Sequence, residues 1–489
     1  MSWGFEFRQF GGRRYLILCE KKRTPKGPRN VRTIYIGTAE SLLEKLANPG
    51  TPLKSYPYGA VSALLHAAER TGLFAALARH LPDDARRLSV PRLLFLQIAG
   101  RLQHPLSREG MAQWFSESTL PFLWDVRDLP SARTLRRHLQ DLFGEENPDG
   151  PLLTYARVRA IEAQVFRTLL AQGISPRWLL YDETNFFTYH QADRWFRRGH
   201  SKEKRYDRNL IGLGLVTAGN LPVLTEVAPG NEGEVKTFAR IFDAFLERLT
   251  ELEVAAKRLT IVFDRGINSK ENFDRVLGAM HVIAALDRPE ARPLLRIPLT
   301  DFHEVTRDSD DEPVLGVAAK WSGFRRSWRV LVTYRERTAR FQARTWSERQ
   351  RKVAQLVARG ERHPRRTEKA VWRELTKAIP EGFQSPFELA VEKRGGGYIP
   401  VAAIDPAAEQ RLVESFGKTA IITDLAPAAL SDAELVEGFV SRSEIEEDWK
   451  WLKDRHVLSV KPVWVWSEVS VPGHVFLCVM GLLLVRYLQ

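Results

Sequence analysis

The chain has 489 residues, of which 44% are hydrophobic, and it carries a formal net charge of +13. This composition excludes a disordered chain, and the length predicts about two to four domains. Its two cysteines, Cys19 and Cys478, exclude a disulfide framework and a cysteine-based zinc site and fit a reducing cytoplasm. The positive charge predicts a polyanionic partner, either nucleic acid or an anionic membrane.

Nucleic acid is the favoured partner. No apolar signal-peptide segment follows Met1, and the apolar run at 475–485 is about half the ~20 residues that span a bilayer, so we predict a buried helix there. Residues 1–60 hold 11 Lys/Arg against 4 Asp/Glu, and residues 335–377 hold 14 against 5. We interpret these two basic segments as DNA contacts, although each alone is equally consistent with a solvated face.

The N-terminal part of the chain is predicted to be a small basic β-rich module, at residues 1–55. Residues 14–20 and 31–37 have strand-like composition, and the turn-rich basic sequence between them predicts a hairpin with a positively charged tip.

A helical domain is predicted next, at residues 56–150. Residues 60–79 and 90–102 show apolar residues at three- and four-residue spacing, and Ser107 and Ser131 are candidate helix N-caps. In a basic protein we interpret this domain as DNA-binding, although most helical domains do not bind DNA.

Short strands and helices alternate over residues 155–290, which predicts a mixed α/β catalytic domain. Two wholly apolar strands are predicted at 178–181 and 259–263, and each is followed by an aspartate, Asp182 and Asp264. Neighbouring strand ends in a sheet would bring these carboxylates together, and carboxylates suit Mg²⁺ or Mn²⁺. Two such ions, roughly 3.5–4 Å apart, activate a water and stabilise a leaving 3′ oxygen. Taken singly, each aspartate is better explained as a turn residue.

Other elements of this region follow from the same patterns. An antiparallel pair is predicted at 210–217 and 221–227, a helix at 235–249, a helix starting near Ser269 and a strand at 281–286. Residues 291–425 interrupt the alternation and are predicted to be an insertion that contains strands at 327–334 and 419–423 and a long basic helical stretch at 346–379.

The C-terminal segment, residues 426–489, is predicted to hold catalytic helices with the third acid. One helix is expected from the N-cap Ser431 to residue 452. Phe439, Arg442, Glu446, Lys450 and Lys453 follow at offsets of three, four, four and three, which places them on one helical face. A carboxylate flanked by cations suits a metal ligand beside a DNA backbone. A solvated face with (i, i+4) ion pairs is the alternative, and Glu444, Glu447 and Asp448 compete as the third ligand.

These residues resemble a known family. The spacing Phe439-x2-Arg442-x3-Glu446-x6-Lys453 resembles the Y-x2-R-x3-E-x6-K signature of bacterial insertion-sequence transposases of the DDE class, in the insertion-sequence-four superfamily. Further ordered matches are found in Tyr181-Asp182-x-Thr184, in residues 199–207 with the pattern G-x-S-K-x-x-R-x-D, in residues 226–231 and in residues 262–266, which end in Asp-Arg-Gly.

The resemblance implies an RNase H-like catalytic domain, a mixed sheet flanked by helices, with an insertion before the last acid. It implies that Asp182, Asp264 and Glu446 are the catalytic residues and hold Mg²⁺ (or Mn²⁺), as two ions. Contacts to DNA would come from Arg442, Lys453 and Lys450, with Lys202 and Arg205 of the second motif. The implied activity is cut-and-paste transposition of an insertion sequence.

The implied partners are double-stranded DNA, both terminal inverted repeats and target DNA, and a second copy of the chain in a synaptic homodimer. The expected location is a bacterial cytoplasm, on the nucleoid when DNA is bound. Phe439 departs from the family tyrosine and removes a hydroxyl that could bind a phosphate. The sequence stops inside an apolar segment, which leaves truncation open. Two alternatives remain, an RNase H-like nuclease that does not transpose and an inactive DNA-binding remnant.

Overall fold

The computed structural model describes residues 2–24, 27–47, 56, 58–81, 88–103, 108–126, 131, 133–134, 152–174, 177–379, 382–454, 456–458, 460 and 470–489. The chain divides into two compact units, one of Met1–Tyr58 with Glu117–Thr119 and one of Gly59–Ser116 with Leu120–Gln489. The cap predicted at Ser107 lies outside the described residues.

The first unit is a three-stranded antiparallel sheet followed by a helix. The strands are β1 (Ser2–Phe10), β2 (Arg13–Thr24) and β3 (Gly27–Thr38), in the order β1-β2-β3, and the helix is α1 (Ala39–Ala47). The two predicted strands are confirmed as parts of β2 and β3, whereas β1 was not predicted.

Helices open the second unit. They are α2 (Gly59–Arg70), α3 (Leu73–His80), α4 (Val90–Gln103), α5 (Arg108–Glu117), α6 (Leu120–Leu123) and α7 (Tyr155–Ala171). The helical pattern at 60–79 is interrupted at Gly72, whose φ of 73° is left-handed and ends the first helix. Ser131 accepts a hydrogen bond from the backbone N–H of Thr134, as its predicted capping role requires.

A nine-stranded mixed sheet forms the centre of the second unit, in the order β6-β5-β4-β7-β8-β14-β11-β10-β9. Its first five strands are β4 (Trp178–Thr188), β5 (Asn209–Ala218), β6 (Leu221–Pro229), β7 (Thr260–Phe263) and β8 (His281–Ala285). Strands β4, β7 and β8 are parallel neighbours, whereas β4, β5 and β6 form an antiparallel meander. The predicted pair, β5 and β6, and the strands β7 and β8 are confirmed. Helices α8 (Glu234–Glu251) and α9 (Lys270–Leu277) follow as predicted, and Ser269 caps α9.

Residues 291–425, which were predicted to be an insertion, include strands of the central sheet, and their assignment as an insertion stays a prediction. A short helix, α10 (Arg288–Ala291), precedes the antiparallel strands β9 (His303–Arg307), β10 (Pro313–Gly323) and β11 (Arg326–Tyr334). β14 (Lys418–Thr423) pairs with β8 on one side and with β11 on the other. It therefore joins strands β9 to β11 to the rest of the sheet.

The middle of this stretch lies off the sheet. It comprises α11 (Glu336–Arg362), α12 (Glu368–Ala378), β12 (Phe387–Arg394), β13 (Gly397–Ile404) and α13 (Pro406–Glu414). A separate small core, which includes Trp346, Phe387 and Phe416, holds these elements together. The basic helical stretch predicted at 346–379 is two helices, and Pro364 lies between them.

Three helices close the second unit: α14 (Asp432–Val440), α15 (Arg442–Lys453) and α16 (Ser470–Leu488). Ser431 forms a capping box with Glu434, as its predicted role requires. The single helix predicted to residue 452 is interrupted at Ser441, so Phe439 and Glu446 belong to different helices.

The last of these helices has a strongly apolar sequence. The window Val471–Leu488 is long and apolar enough to cross a membrane by length and composition, but 78% of it is buried inside the protein. It contacts β6, α4 and α2, and therefore has the burial of a core helix.

Candidate active site

The first two predicted acids lie on adjacent parallel strands. Leu180 of β4 pairs with Val262 of β7, and Asp182 and Asp264 each follow two residues later. Asp264 comes directly after β7, as predicted. The prediction that Asp182 ends its strand is wrong, because β4 continues to Thr188. It continues because residues 182–188 pair in unbroken register with β5.

Asp182 is a half-buried carboxylate held by a tryptophan. Nε1 of Trp449 donates a hydrogen bond of 2.9 Å to Oδ2 of Asp182. Burial raises the pKa of Asp182, and repulsion from Asp264 adds to the rise, whereas the charge of Lys202 and the hydrogen bond from Trp449 oppose it. The net pKa rise means that this carboxylate lacks full compensation for its lost hydration.

Asp264 has two roles in its immediate surroundings. Its Oδ1 caps the following turn by accepting the backbone N–H of Arg265 at 2.8 Å, so the turn interpretation of this residue also holds. The same oxygen lies 2.5 Å from Nη1 of Arg442, which is on α15. Side chains from a strand end and from a C-terminal helix therefore meet at Asp264.

Arg442 connects Asp264 to the third predicted acid. Its Nη2 lies 3.6 Å from Oε1 of Glu446, one turn along the helix, and its guanidinium lies over the ring of Phe439 at 5.2 Å. Phe439 thus stays near the site, although it belongs to the preceding helix.

The other acids near Glu446 are directed elsewhere. Arg486 of α16 pairs with Glu447 at 3.1 Å and with the fully buried Asp448 at 2.7 Å. Glu444 lines a different cleft, with Trp178 and Val440. Of the four candidates, Glu446 is the one joined to Asp264 through a shared cation.

The remaining residues of this helical face lie along β4. Nζ of Lys453 donates to Oγ1 of Thr184 at 2.6 Å and lies over the ring of Phe186 at 5.8 Å. Lys450 is exposed, one turn after Glu446. Since Asp182, Thr184 and Phe186 alternate along one face of β4, α15 docks on the strand that carries the first acid.

A second group of charges surrounds Lys202. Its Nζ lies 2.5 Å from the carbonyl oxygen of Glu183 and 2.9 Å from Oε1 of Glu234. Burial disfavours the charge of Lys202, but the carboxylates of Asp182 and Glu234 outweigh this and raise its pKa. Burial and the nearby Glu234 raise the pKa of Glu183 to about 7.

Arg205, the other residue of this motif, forms a bidentate pair with Asp207 at 2.9 and 3.0 Å and stacks over Phe187 at 4.6 Å. Lys202 and Arg205 therefore both have partners within the protein. Their predicted contacts with DNA stay predictions.

A cleft of about 860 Å³ opens beside Asp264 and Arg442. Its other charged lining residues are all cationic, and they are Arg265, Arg292, Arg296, Arg411 and Lys418. A cleft of this composition suits a phosphate backbone.

Two features of the site were not predicted from the sequence. Trp449 orients Asp182, and its spacing of three residues from Glu446 was the available signal. Glu183 and Glu234 had no distinguishing pattern.

Within the described part of the chain, no group of three or more His, Cys, Asp or Glu side chains is arranged to hold a metal ion.

Comparisons with known proteins found similarity among solved structures. No protein-family model and no curated protein matches the chain. Among solved structures, a piggyBac transposase synaptic complex with hairpin DNA matches with 8% identity and a TM-score of 0.34, over 88% of this chain and 76% of that chain. A TM-score of this size does not establish a common fold.

Proposed function

We propose that this chain is a DNA transposase of the DDE class and that Asp182, Asp264 and Glu446 are its catalytic carboxylates. One observation carries the proposal. Arg442 lies between Asp264 and Glu446, and Asp264 follows the strand paired with that of Asp182, which supports a common site for these acids from three separate elements. Phosphodiester chemistry needs such a concentration of carboxylates and cations, because its transition state is stabilised mainly by electrostatic interactions.

The sheet supports an RNase H-like catalytic domain. An antiparallel meander leads into parallel strands, and two of the acids lie on the adjacent strands β4 and β7, at the edge where α15 packs. Residues 336–414, which lie off the sheet between β11 and β14, are the part that we propose as the insertion before the last acid.

The donor set suits Mg²⁺ or Mn²⁺ because it consists of carboxylates, and burial, which raises the pKa of Asp182, leaves the charge of that carboxylate without full compensation. Asp182, Asp264 and Glu446 would hold the ions. When bound, they would supply an activated water and stabilise the leaving 3′ oxygen. Arg442 already neutralises part of the charge of Asp264 and Glu446. Bound metal ions would therefore have to share these carboxylate oxygens with the guanidinium or displace it.

The protein's own residues provide positioning and charge. Trp449 keeps Asp182 directed at the reacting phosphate, and Arg442 and Lys453 place cations on either side of Glu446 along the helix. A water attacks the phosphorus at the transposon end and displaces the 3′ oxygen as a 3′-OH. This 3′-OH then attacks a phosphorus of target DNA in line and displaces the 3′ oxygen of the target strand. The cationic cleft beside Asp264 binds the backbone of the DNA that reaches the acids.

The partners follow from the same proposal. They are double-stranded DNA, at terminal inverted repeats and at the target, and a second copy of the chain that joins the two ends in a synaptic complex. A bacterial, cytoplasmic setting on the nucleoid is part of the proposal.

The decisive experiment is Asp182→Asn, assayed with labelled transposon ends in Mg²⁺. Cleavage and strand transfer should fall to background, whereas binding to the same DNA is retained, because one carboxylate oxygen is replaced without loss of volume. Asp274→Asn is the matched control, since Asp274 is an exposed acid of α9 that pairs with Lys270 at 3.8 Å. Cleavage retained by Asp182→Asn would refute the proposed triad.

The products of the unmodified chain separate the alternatives. Strand-transfer products support a transposase. Nicking without strand transfer would indicate an RNase H-like nuclease, and binding without nicking in either Mg²⁺ or Mn²⁺ would indicate an inactive remnant.

A further inference from the structure

One face of the N-terminal sheet is partly covered, and the other carries a row of exposed aromatic rings. On the covered face, Ile17 and Cys19 of β2 are fully buried, and α1 contacts both β2 and β3. On the open face, Trp3, Phe5 and Phe7 of β1 are 36%, 68% and 54% exposed. Alternate residues of a strand point to the same side, so these three rings form a row.

The row continues across the sheet as an apolar surface. Phe5 pairs with Leu18, and Leu18 pairs with Ile34, which is 42% exposed. An exposed apolar surface of this kind is typical of a binding site rather than of a solvated module.

Cations border this surface. The guanidinium of Arg14 lies over the ring of Phe7 at 4.5 Å, and Arg32 lies opposite Glu20, which pairs with Trp3. Over residues 1–60 the sequence holds 11 Lys/Arg against 4 Asp/Glu. The charge therefore favours a polyanion over an apolar protein surface as the occupant.

The spacing of the rings indicates which kind of polyanion can bind to this face. Residues two apart on a strand are about 6.6–6.8 Å apart, far enough for each ring to receive a separate base of an extended strand. A duplex hides the faces of its bases in the stack, whereas unpaired bases stack on aromatic side chains and on arginine guanidinium planes.

We infer that the face formed by Trp3, Phe5 and Phe7 binds unpaired bases of a single-stranded nucleic acid. The phosphates of that strand would be held by the cations that border the row. This inference does not depend on the proposed catalytic function, because none of these residues belongs to the carboxylate site.

The test compares Phe5→Leu with Phe5→Tyr in the full chain. Binding is measured by fluorescence anisotropy with oligo(dT) and oligo(U), each of about 12 nucleotides, and with a duplex of the same length. Phe5→Leu should weaken single-strand binding about fivefold or more and leave duplex binding unchanged, whereas Phe5→Tyr keeps the ring and the affinity.

Phe10→Leu is the matched control. Phe10 is 71% exposed on the same strand, but its position places it on the opposite face, and its loss should not change binding. The oligonucleotide that binds more tightly shows whether the bases come from DNA or from RNA. Unchanged single-strand binding by Phe5→Leu would overturn the inference, and so would an equal loss for duplex and single strand. Asp182→Asn should bind single strands like the unmodified chain, so the catalytic proposal can fail independently.

Discussion

Trp449 donates its indole N–H to Oδ2 of Asp182 across 2.9 Å, from a ring that is only 5% exposed. The ring also packs edge-on against Phe186 of the same strand, with centroids 6.4 Å apart. One core side chain therefore ties the helix of the third acid to the strand of the first, and the direction of the Asp182 carboxylate depends on the packing of that core.

Trp449→Phe keeps an aromatic ring and removes this hydrogen bond. A hydrogen bond to a charged group contributes roughly 1.5–3 kcal/mol, so Mg²⁺-dependent cleavage should fall by about 10- to 150-fold. The measurement is single-turnover cleavage of a labelled transposon end. Trp451→Phe is the control, because the Trp451 ring contacts Arg486 at 4.4 Å and not the acids. Cleavage by Trp449→Phe at the rate of the unmodified chain would show that Asp182 does not need this donor.

Arg442→Gln removes the cation that lies between Asp264 and Glu446. The two carboxylates then lose a competing partner, so Mn²⁺ should bind the DNA-free protein more tightly, by about three- to tenfold. Cleavage should nevertheless fall, because a cation beside the reacting phosphate is lost. Calorimetric titration with Mn²⁺ gives the first result and an end-cleavage assay gives the second.

Arg265→Gln is the control for this titration, since Arg265 lines the cleft but does not join the two acids. If Arg442→Gln binds Mn²⁺ more weakly than the unmodified chain, Arg442 organises the carboxylates rather than competing for them.

His474 should make the protein sensitive to acid. Burial lowers its pKa to about 3, and Arg101 donates to its Nδ1 at 3.1 Å. Below pH ~6.5 the unfolded chain therefore binds a proton at this histidine, whereas the folded chain does not. As the pH falls from about 6.5 to 3, the free energy of unfolding decreases by about 1.4 kcal/mol per pH unit. His474→Gln should flatten this part of the urea-unfolding profile. His66→Gln, on the exposed side of α2, should leave it unchanged, and an equal slope in all three proteins would contradict the prediction.

Arg248 and Glu162 form a buried ion pair beneath the sheet. Nη1 of Arg248 lies 3.3 Å from Oε2 of Glu162, and both side chains are less than 5% exposed. Arg248→Met leaves the Glu162 carboxylate buried without its cation and should lower the free energy of unfolding by about 3–5 kcal/mol. Adding Glu162→Gln should recover part of the loss. Urea unfolding measures both, with the exposed Arg258→Met as control; a loss below about 1 kcal/mol for Arg248→Met would contradict this expectation.

Sequence patterns were most informative where structure is local. The apolar strands before Asp182 and Asp264, the antiparallel pair β5–β6 and the caps Ser269 and Ser431 are all present, because each depends on residues within a few positions. The spacing of Arg442 and Glu446 likewise placed them one turn apart on a helix.

What was missed depends on distant partners. The strand of Asp182 was predicted too short because its continuation is polar, and its burial depends on Trp449 and Lys453, more than 260 positions away. Strands β9 to β11 were assigned to an insertion, since only their pairing with β14 shows that they extend the sheet. β1 carried a signal that was overlooked, the alternation of Trp3, Phe5 and Phe7 with small or charged residues.

The position of α16 has a consequence for the folding of the second unit. Arg101 of α4 bonds to His474 of α16 across 373 positions of sequence, and α16 contacts α2, α4 and β6. The apolar faces of the early helices are therefore fully covered only once this helix has been synthesised and docked. Contacts of such high sequence separation make folding slow, and the nascent chain exposes aggregation-prone surface throughout synthesis, so its yield in the cell should depend strongly on chaperones.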